Sequence, residues 1–261
     1  MSSGEDDAVS RALALARAAT GLAPLPPGAL ADSRAAAFDS IHQGRQWGSK
    51  GASTSGPGSE VGNAAGAILA LIEALHHTGA KSLLDVGCGD FHWLGHTLSQ
   101  SSALPQQLSI AAVDISPTAL NTARQRHPTV AFAELDIVLQ RPAAAYDLVL
   151  CRQCLNHMTP ANVRAALANI AASGSKWLLT SHYPHGSNAG LDMHSQTAYR
   201  CYNLASPPFD DGPLMGAPEL LFVDEYDAEQ RRDNPMHLAL WRLRPCSKGH
   251  GRDAPTPAEA Q

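Results

Sequence analysis

The sequence has no apolar run long enough to cross a bilayer and no long run of lysine or arginine. The first absence leaves no candidate for a transmembrane helix, which needs about 20 consecutive, mainly apolar residues. The second, with a formal net charge of −5, argues against the broad basic face that a nucleic-acid backbone requires. Cysteine is scarce as well. There are five, odd in number and scattered, so no disulfide framework is expected. No internal repeat is present. A secretory leader is missing its usual marks: "MSSGEDDAVSRALALARAA" is acidic where a leader is positive, and arginines interrupt its apolar stretch. The same acids disfavour an organelle transit peptide. The expected location is therefore cytoplasmic, and Asp6 or Asp7 is expected near the start of an Ala-rich helix, where the helix dipole favours negative charge.

What is present is an ordinary globular composition, 44% apolar and 16% charged, over 261 residues. That length suffices for one large α/β domain or two small ones. Three punctuated stretches divide it. "GLAPLPPGAL", residues 21–30, separates the Ala-rich start from the rest of the chain. "WGSKGASTSGPGSE", residues 47–60, is a Gly/Ser loop too long to be idle in a compact domain. The tail from 245 to 261 has almost no apolar content and reads as disordered. The expected organisation is thus an N-terminal helical segment with a capping loop over 1–60, a main domain over 61–244, and the tail.

Strands and helices alternate within the main domain. "SLLDV", "LSIAAVD", "TVAFAELD", "YDLVLC" and "KWLLTSHY" read as five short strands. "ELLFVDEY" and "HLALWRL" read as a closing hairpin. The helix over 61–79 ends at Gly79, and two helices open on Ser-Pro and Thr-Pro pairs at 116–117 and 159–160. Continuous apolar strands imply burial on both faces. The fold expected is α/β: a Rossmann-like, seven-stranded, mainly parallel sheet with an antiparallel last strand and helices on both faces.

"LLDVGCGD", residues 83–90, carries the chemistry. An acid at a strand's end is followed by G-x-G and a helix. Such glycines let the backbone turn tightly and approach a ligand, and ligands in these sheets sit at the carboxyl ends of the strands. Two more strands end in acids, Asp114 and Asp136. Asp114 can accept from ribose hydroxyls, and Asp136 from an adenine amino group. A dinucleotide fingerprint would need a third glycine where His92 stands. The pattern therefore favours a nucleoside with a cationic end, such as an ammonium or a sulfonium.

With these motifs the sequence resembles the class I S-adenosylmethionine-dependent methyltransferases, from about Ile68 to Leu243. The resemblance implies S-adenosylmethionine as cofactor. It implies that Asp85, Gly87 and Gly89 lie against the methionyl part, Asp114 at the ribose with Ile115 against the adenine, and Asp136 with Ile137 at the adenine edge. A narrower resemblance is to a little-characterised subgroup, carried by "WGS…SGPGSE", "CRQCLNH", "NLASPPF" and "LALWRL". That subgroup usually has Asp where Gln153 stands.

The stretch "LVLCRQCLNHM" spaces Cys151, Cys154 and His157 three apart. A structural zinc site would want four ligands, and no second pair accompanies this one. A redox thiol gains its low pKa at a helix N-terminus, whereas Cys151 ends a buried strand. No metal is expected. Cys151 and Arg152 are expected on the floor of the cofactor pocket, and Gln153 to His157 on the acceptor side. A neutral hydroxyl or protonated amine acceptor needs a base, and His157, His182 and His185 follow strands four and five. His157 and His182 are the expected catalytic pair, with His157 first. Trp47 and Ser59, from the 47–60 loop, are expected to cap the cofactor; a flexible linker is the alternative. Residues 184–218 are expected to form a substrate lid, with Asp192, Arg200, Tyr202 and Asn203 as contacts; a surface excursion packed by its own side chains is the alternative.

The expected activity is methyl transfer to an oxygen or nitrogen of a small-molecule metabolite, by a monomer or homodimer without membrane or nucleic-acid partners. The Asp/Asn-Pro-Pro-aromatic tetrad of nucleic-acid amino methylation is absent after strand four, where "CRQC" stands. Methylation of a protein or peptide, and a non-catalytic nucleoside-binding protein of the same fold, remain alternatives.

Overall fold

The computed structural model describes residues 29–47, 51–189, 191, 197–230 and 232–244. The expected helix near Asp6 and Asp7, the tail 245–261 and Asp192 lie outside the described residues.

Seven strands form one sheet: β1 (Ser82–Val86), β2 (Ser109–Asp114), β3 (Ala131–Glu134), β4 (Leu148–Cys151), β5 (Trp177–His182), β6 (Leu220–Val223) and β7 (His237–Arg242). Their order is β3-β2-β1-β4-β5-β7-β6. The pairs from β3 through β5 are parallel. β7 runs antiparallel to both neighbours, β5 and β6. This is the expected mixed sheet, with one difference. The last two strands are not a tight hairpin, because a short helix, α6 (Glu225–Gln230), separates them. β7 turns back between β5 and β6 and leaves β6 at the edge. Its burial alternates accordingly, with Leu221 and Val223 outward.

The helices before α6 are α1 (Ala29–Gly44), α2 (Ala65–Thr78), α3 (His92–Gln100), α4 (Pro117–Arg126) and α5 (Pro160–Ala172). Successive strand residues feed opposite cores. Leu83, Ala112, Leu148 and Leu150 pack with Leu71 and Leu75 of α2, Leu94 of α3 and Leu120 of α4. Leu84, Val86, Val113 and Val149 pack with Val163, Leu167 and Ile170 of α5. Burial of both faces is why these strands read as unbroken apolar runs.

The helix ends follow their local chemistry. Ser116 Oγ accepts from Ala119 N at 3.1 Å and Thr159 Oγ1 from Asn162 N at 3.4 Å, each followed by proline at the first helical position. Gly79 closes α2 in the left-handed region, φ 62°. α1 docks through Asp39, whose Oδ1 accepts from Ser116 Oγ and from Thr118 N, both at 2.8 Å. A carboxylate at the N-terminus of α4 complements that helix's dipole. Chain order reverses between β1 and β4, so the crevice at the carboxyl ends of β1, β2 and β4 is the topological switch point. No described helix is long and apolar enough to cross a membrane.

Candidate active site

A cavity opens at that crevice, enclosing about 940 Å³ of empty space with its mouth included. One wall is built from the ends of β1 to β3: Asp85, Gly87, Cys88, Gly89, Asp114, Ile115, Asp136 and Ile137 all line it. The opposite wall follows β4 and holds Arg152, Gln153, Cys154, His157 and Met158. The roof is α1 and the loop after it, with Arg34, Phe38, His42, Trp47, Ser55 and Ser59.

The two walls differ in charge. Asp85 lies deep and buried, and its carboxyl is pushed up to about 8, mainly by desolvation, with the Asp114 charge adding and Arg152 opposing. Asp114 is held by two backbone amides, Gly89 N on Oδ2 and Ser116 N on Oδ1, both at 2.8 Å. Asp136 Oδ1 accepts from Val138 N at 3.0 Å, and its Oδ2 pairs with the Arg34 guanidinium. Across the cavity the groups are neutral or already paired. Arg152 Nη2 bonds Asp224 at 3.0 Å, both buried, and its guanidinium lies 5.7 Å from the Trp93 ring centre. His157 Nδ1 lies 3.1 Å from Thr197 O. A carbonyl oxygen only accepts, so Nδ1 carries the proton and Nε2 keeps its lone pair. Burial, assisted by the Arg200 charge, lowers the pKa of His157 despite that bond, and the ring is neutral at physiological pH.

Two glycines let other parts of the chain close in. Gly87 has φ 72° and Gly89 φ 55°. A Cβ on Gly87 would collide with Cys154 Sγ, and one on Gly89 with Ser55 Oγ. These glycines therefore admit the β4 loop and the roof as well as any ligand. Gln153 is itself left-handed, φ 52°, and its amide packs against Gly58. For a non-glycine residue this conformation costs about 1 kcal/mol, and it turns the chain at the end of β4.

Several expected site residues lie elsewhere. His182 is buried, accepts from Leu204 N at 3.2 Å through Nδ1 and packs edge-on to Trp241 at 5.0 Å. Desolvation, with the His237 and His185 charges, lowers its pKa to about 4. It joins β5 to the chain beyond and is no part of the cavity wall. Arg200 is buried and donates to Met158 O and Ala198 O. Tyr202 donates its hydroxyl to Met158 O at 2.7 Å, and Asn203 bonds Pro184 O and Gly186 O. These three hold the described parts of residues 184–218 together and to the loop after β4. None of those parts lines the cavity, because Tyr202, Leu204, Phe209 and Leu214 are drawn into the core beneath. Cys151 is fully buried within β4, its side chain turned into the core, so the floor is formed by the residues after it.

Other residues at the site were not anticipated. Arg34, Phe38 and His42 stand four apart on α1, one helical face, and all line the cavity. Their spacing was the available signal, masked because the stripe is polar and aromatic rather than aliphatic. Asp90 has no such signal. It is fully buried and gathers Ser53 Oγ and Ser55 Oγ at 2.9 Å, Thr54 N at 2.7 Å and Arg126 at 3.1 Å. It anchors the roof loop to the end of the glycine motif.

Comparison with known proteins agrees with this geometry. Residues 83–173 match a family model described as a methyltransferase domain. No curated protein sequence matches the chain. Among solved structures, a magnesium protoporphyrin IX methyltransferase from Synechocystis PCC 6803, solved with bound SAM, is 14% identical, with 84% of this chain and 100% of that one covered and a TM-score of 0.56. A 1,6-didemethyltoxoflavin-N1-methyltransferase from Burkholderia thailandensis, solved with 1,6-didemethyltoxoflavin and S-adenosylhomocysteine, is 19% identical, with 85% and 93% covered and a TM-score of 0.56. Residues 83–173 are thus similar to a methyltransferase domain, and the chain shares the fold of these two solved S-adenosylmethionine-dependent methyltransferases.

Proposed function

We propose that this protein transfers a methyl group from S-adenosylmethionine to an oxygen or nitrogen of a small metabolite. The observation that carries the reading is the division of one cavity between an acidic wall and a wall whose one charge, Arg152, is paired and which bears a half-buried histidine. The acidic wall fits the cofactor. Burial and the neighbouring Asp114 charge keep the proton on Asp85, and a cationic ammonium or sulfonium beside it would release that proton. Asp114, oriented by two amides, has lone pairs left for the ribose hydroxyls. Asp136 and the backbone amide of Ile137 offer the acceptor and donor that an adenine edge requires. Ile115, Trp47, Ser59 and the Gly87–Gly89 turn complete the cofactor side, and Arg152 flanks it.

Bound there, S-adenosylmethionine supplies a methyl carbon attached to a positively charged sulfur, which departs as a neutral thioether. The chain's own part is to position the acceptor, exclude water and take one proton. The roof of α1 and residues 51–60 excludes water. His157, its proton fixed on Nδ1, takes the acceptor's proton on Nε2, with Gln153 beside it as a substrate contact. Two solved structures of this fold, a magnesium protoporphyrin IX methyltransferase and a 1,6-didemethyltoxoflavin-N1-methyltransferase, are named for small-molecule acceptors, which supports a metabolite here.

The test is a panel of small metabolites screened for release of S-adenosylhomocysteine, repeated with His157→Ala. The variant is expected to lose transfer by at least roughly 100-fold while keeping its affinity for S-adenosylmethionine. Retained turnover would remove His157 from this role.

A further inference from the structure

The proposed transfer leaves the acceptor's chemistry open, and the wall after β4 narrows it. Phe38, Trp47 and His157 form a ring cluster. Trp47 and His157 are 5.1 Å apart between centroids and inclined at 31°, while Phe38 stands 6.3 Å from Trp47 and 6.4 Å from His157. Tyr199 backs His157 edge-on at 5.2 Å, at 79°. The imidazole is therefore locked by one hydrogen bond and three aromatic neighbours. Such a cluster offers flat apolar faces, suited to another ring.

The charges in the cavity sharpen this. Both lining arginines have acidic partners, Arg34 with Asp136 and Arg152 with Asp224. The lining carboxylates all belong to the ends of β1, β2 and β3. After β4 the lining groups are Arg152, whose charge is already paired with Asp224, and Gln153, Cys154, His157 and Met158, which are uncharged at neutral pH. A carboxylate or ammonium on the acceptor would be stripped of water there without a counter-ion, which is costly. A neutral hydroxyl meets no such cost, since Nε2 of His157 accepts its proton and the Gln153 amide can bond a neighbouring polar atom.

We propose that the acceptor is an uncharged molecule bearing a hydroxyl on a ring with a flat apolar face, seated among Phe38, Trp47 and His157. This rests on the methyl-transfer reading above. In the transfer the hydroxyl oxygen gains the methyl carbon, the carbon–sulfur bond breaks, and the hydroxyl proton goes to Nε2, leaving an ether, a neutral thioether and an imidazolium. A phenol and a sugar share this chemistry, so the test carries an arm for each.

The full-length protein is saturated with S-adenosylhomocysteine, and binding of four probes is measured by ligand-observed NMR and calorimetry. Phenol and methyl β-glucopyranoside are neutral; 4-hydroxybenzoate and tyramine carry a charge. At least one neutral probe is expected to bind at least tenfold tighter than both charged ones. Which neutral probe prevails assigns the ring as arene or sugar. Phe38→Leu, which keeps apolar bulk without the ring, is expected to weaken that probe at least threefold while S-adenosylhomocysteine affinity stays within twofold. Equal or tighter binding of either charged probe overturns the proposal, and so does failure of both neutral probes to bind. Failure of S-adenosylhomocysteine itself to bind would instead overturn the cofactor reading on which it rests.

Discussion

At the scale of single residues, the most informative group is Asp85. Its carboxyl sits behind the glycine turn, buried beside the Asp114 carboxylate, and is held up near pH 8. A group so placed is protonated at pH 7 and gives up its proton when a cation arrives. Binding of S-adenosylmethionine at pH 7 is therefore expected to release close to one proton. Calorimetry in two buffers of different ionisation enthalpy reads this directly, and Asp85→Asn should abolish the buffer dependence. The same charge sets the sign for affinity. The cation favours the carboxylate form, so affinity rises with pH below about 8, by at most about tenfold between pH 6 and 7. Heats that do not depend on the buffer would contradict the placement of a cation beside Asp85.

At the scale of elements, the roof is held by few and specific bonds. Residues 51–60 reach the domain chiefly through Asp90, which leaves four donors without their acceptor if it is lost. Asp90→Ala is expected to cost roughly 3 kcal/mol of stability and to raise amide exchange across 51–60 well above that of β1. Unchanged protection there would show that the loop is held otherwise. His182 makes a second element-scale prediction. It is neutral in the fold, near 4 against an ordinary 6.5, because protonation would charge a desolvated ring beside His237 and His185. A depressed histidine means the unfolded chain binds more protons between these values. The stability is present above pH 6.5 and lost as pH falls toward 4. Between pH 7 and pH 5 the loss is about 2 kcal/mol. Denaturant unfolding at the two pH values measures it, and His182→Gln should show a correspondingly smaller loss.

The same elements show what could be read from the chain. β1, β2, β4 and β5 were legible because they are largely buried on both faces, and β3, half-buried at the sheet edge, because it runs into the Leu135–Asp136 string; acids at or near strand ends, Asp85 and Asp114, mark the boundaries of β1 and β2. The strand-end acids and the Gly87–Gly89 turn were legible for the same reason, as local strings. α1 was not. Its inward face is Arg34, Phe38 and His42, so no aliphatic periodicity marks it, and its docking rests on Asp39 meeting a helix start 77 residues away. Arg200 and Tyr202 misled because polar side chains in an irregular segment resemble substrate contacts. Only the folded chain shows them bonded to the carbonyl of Met158.

At the scale of the whole molecule, the parallel strands point their carboxyl ends at one crevice. α1 and the loop after it close over that crevice, and the β4 loop supplies the side whose one charge, Arg152, is paired. The account stands on this cavity taking S-adenosylmethionine. The direct measurement is calorimetric titration of the full-length protein with S-adenosylmethionine and, separately, with NAD. The account predicts micromolar or tighter binding of S-adenosylmethionine at one site per chain and no binding of NAD. Micromolar binding of NAD with none of S-adenosylmethionine would contradict it.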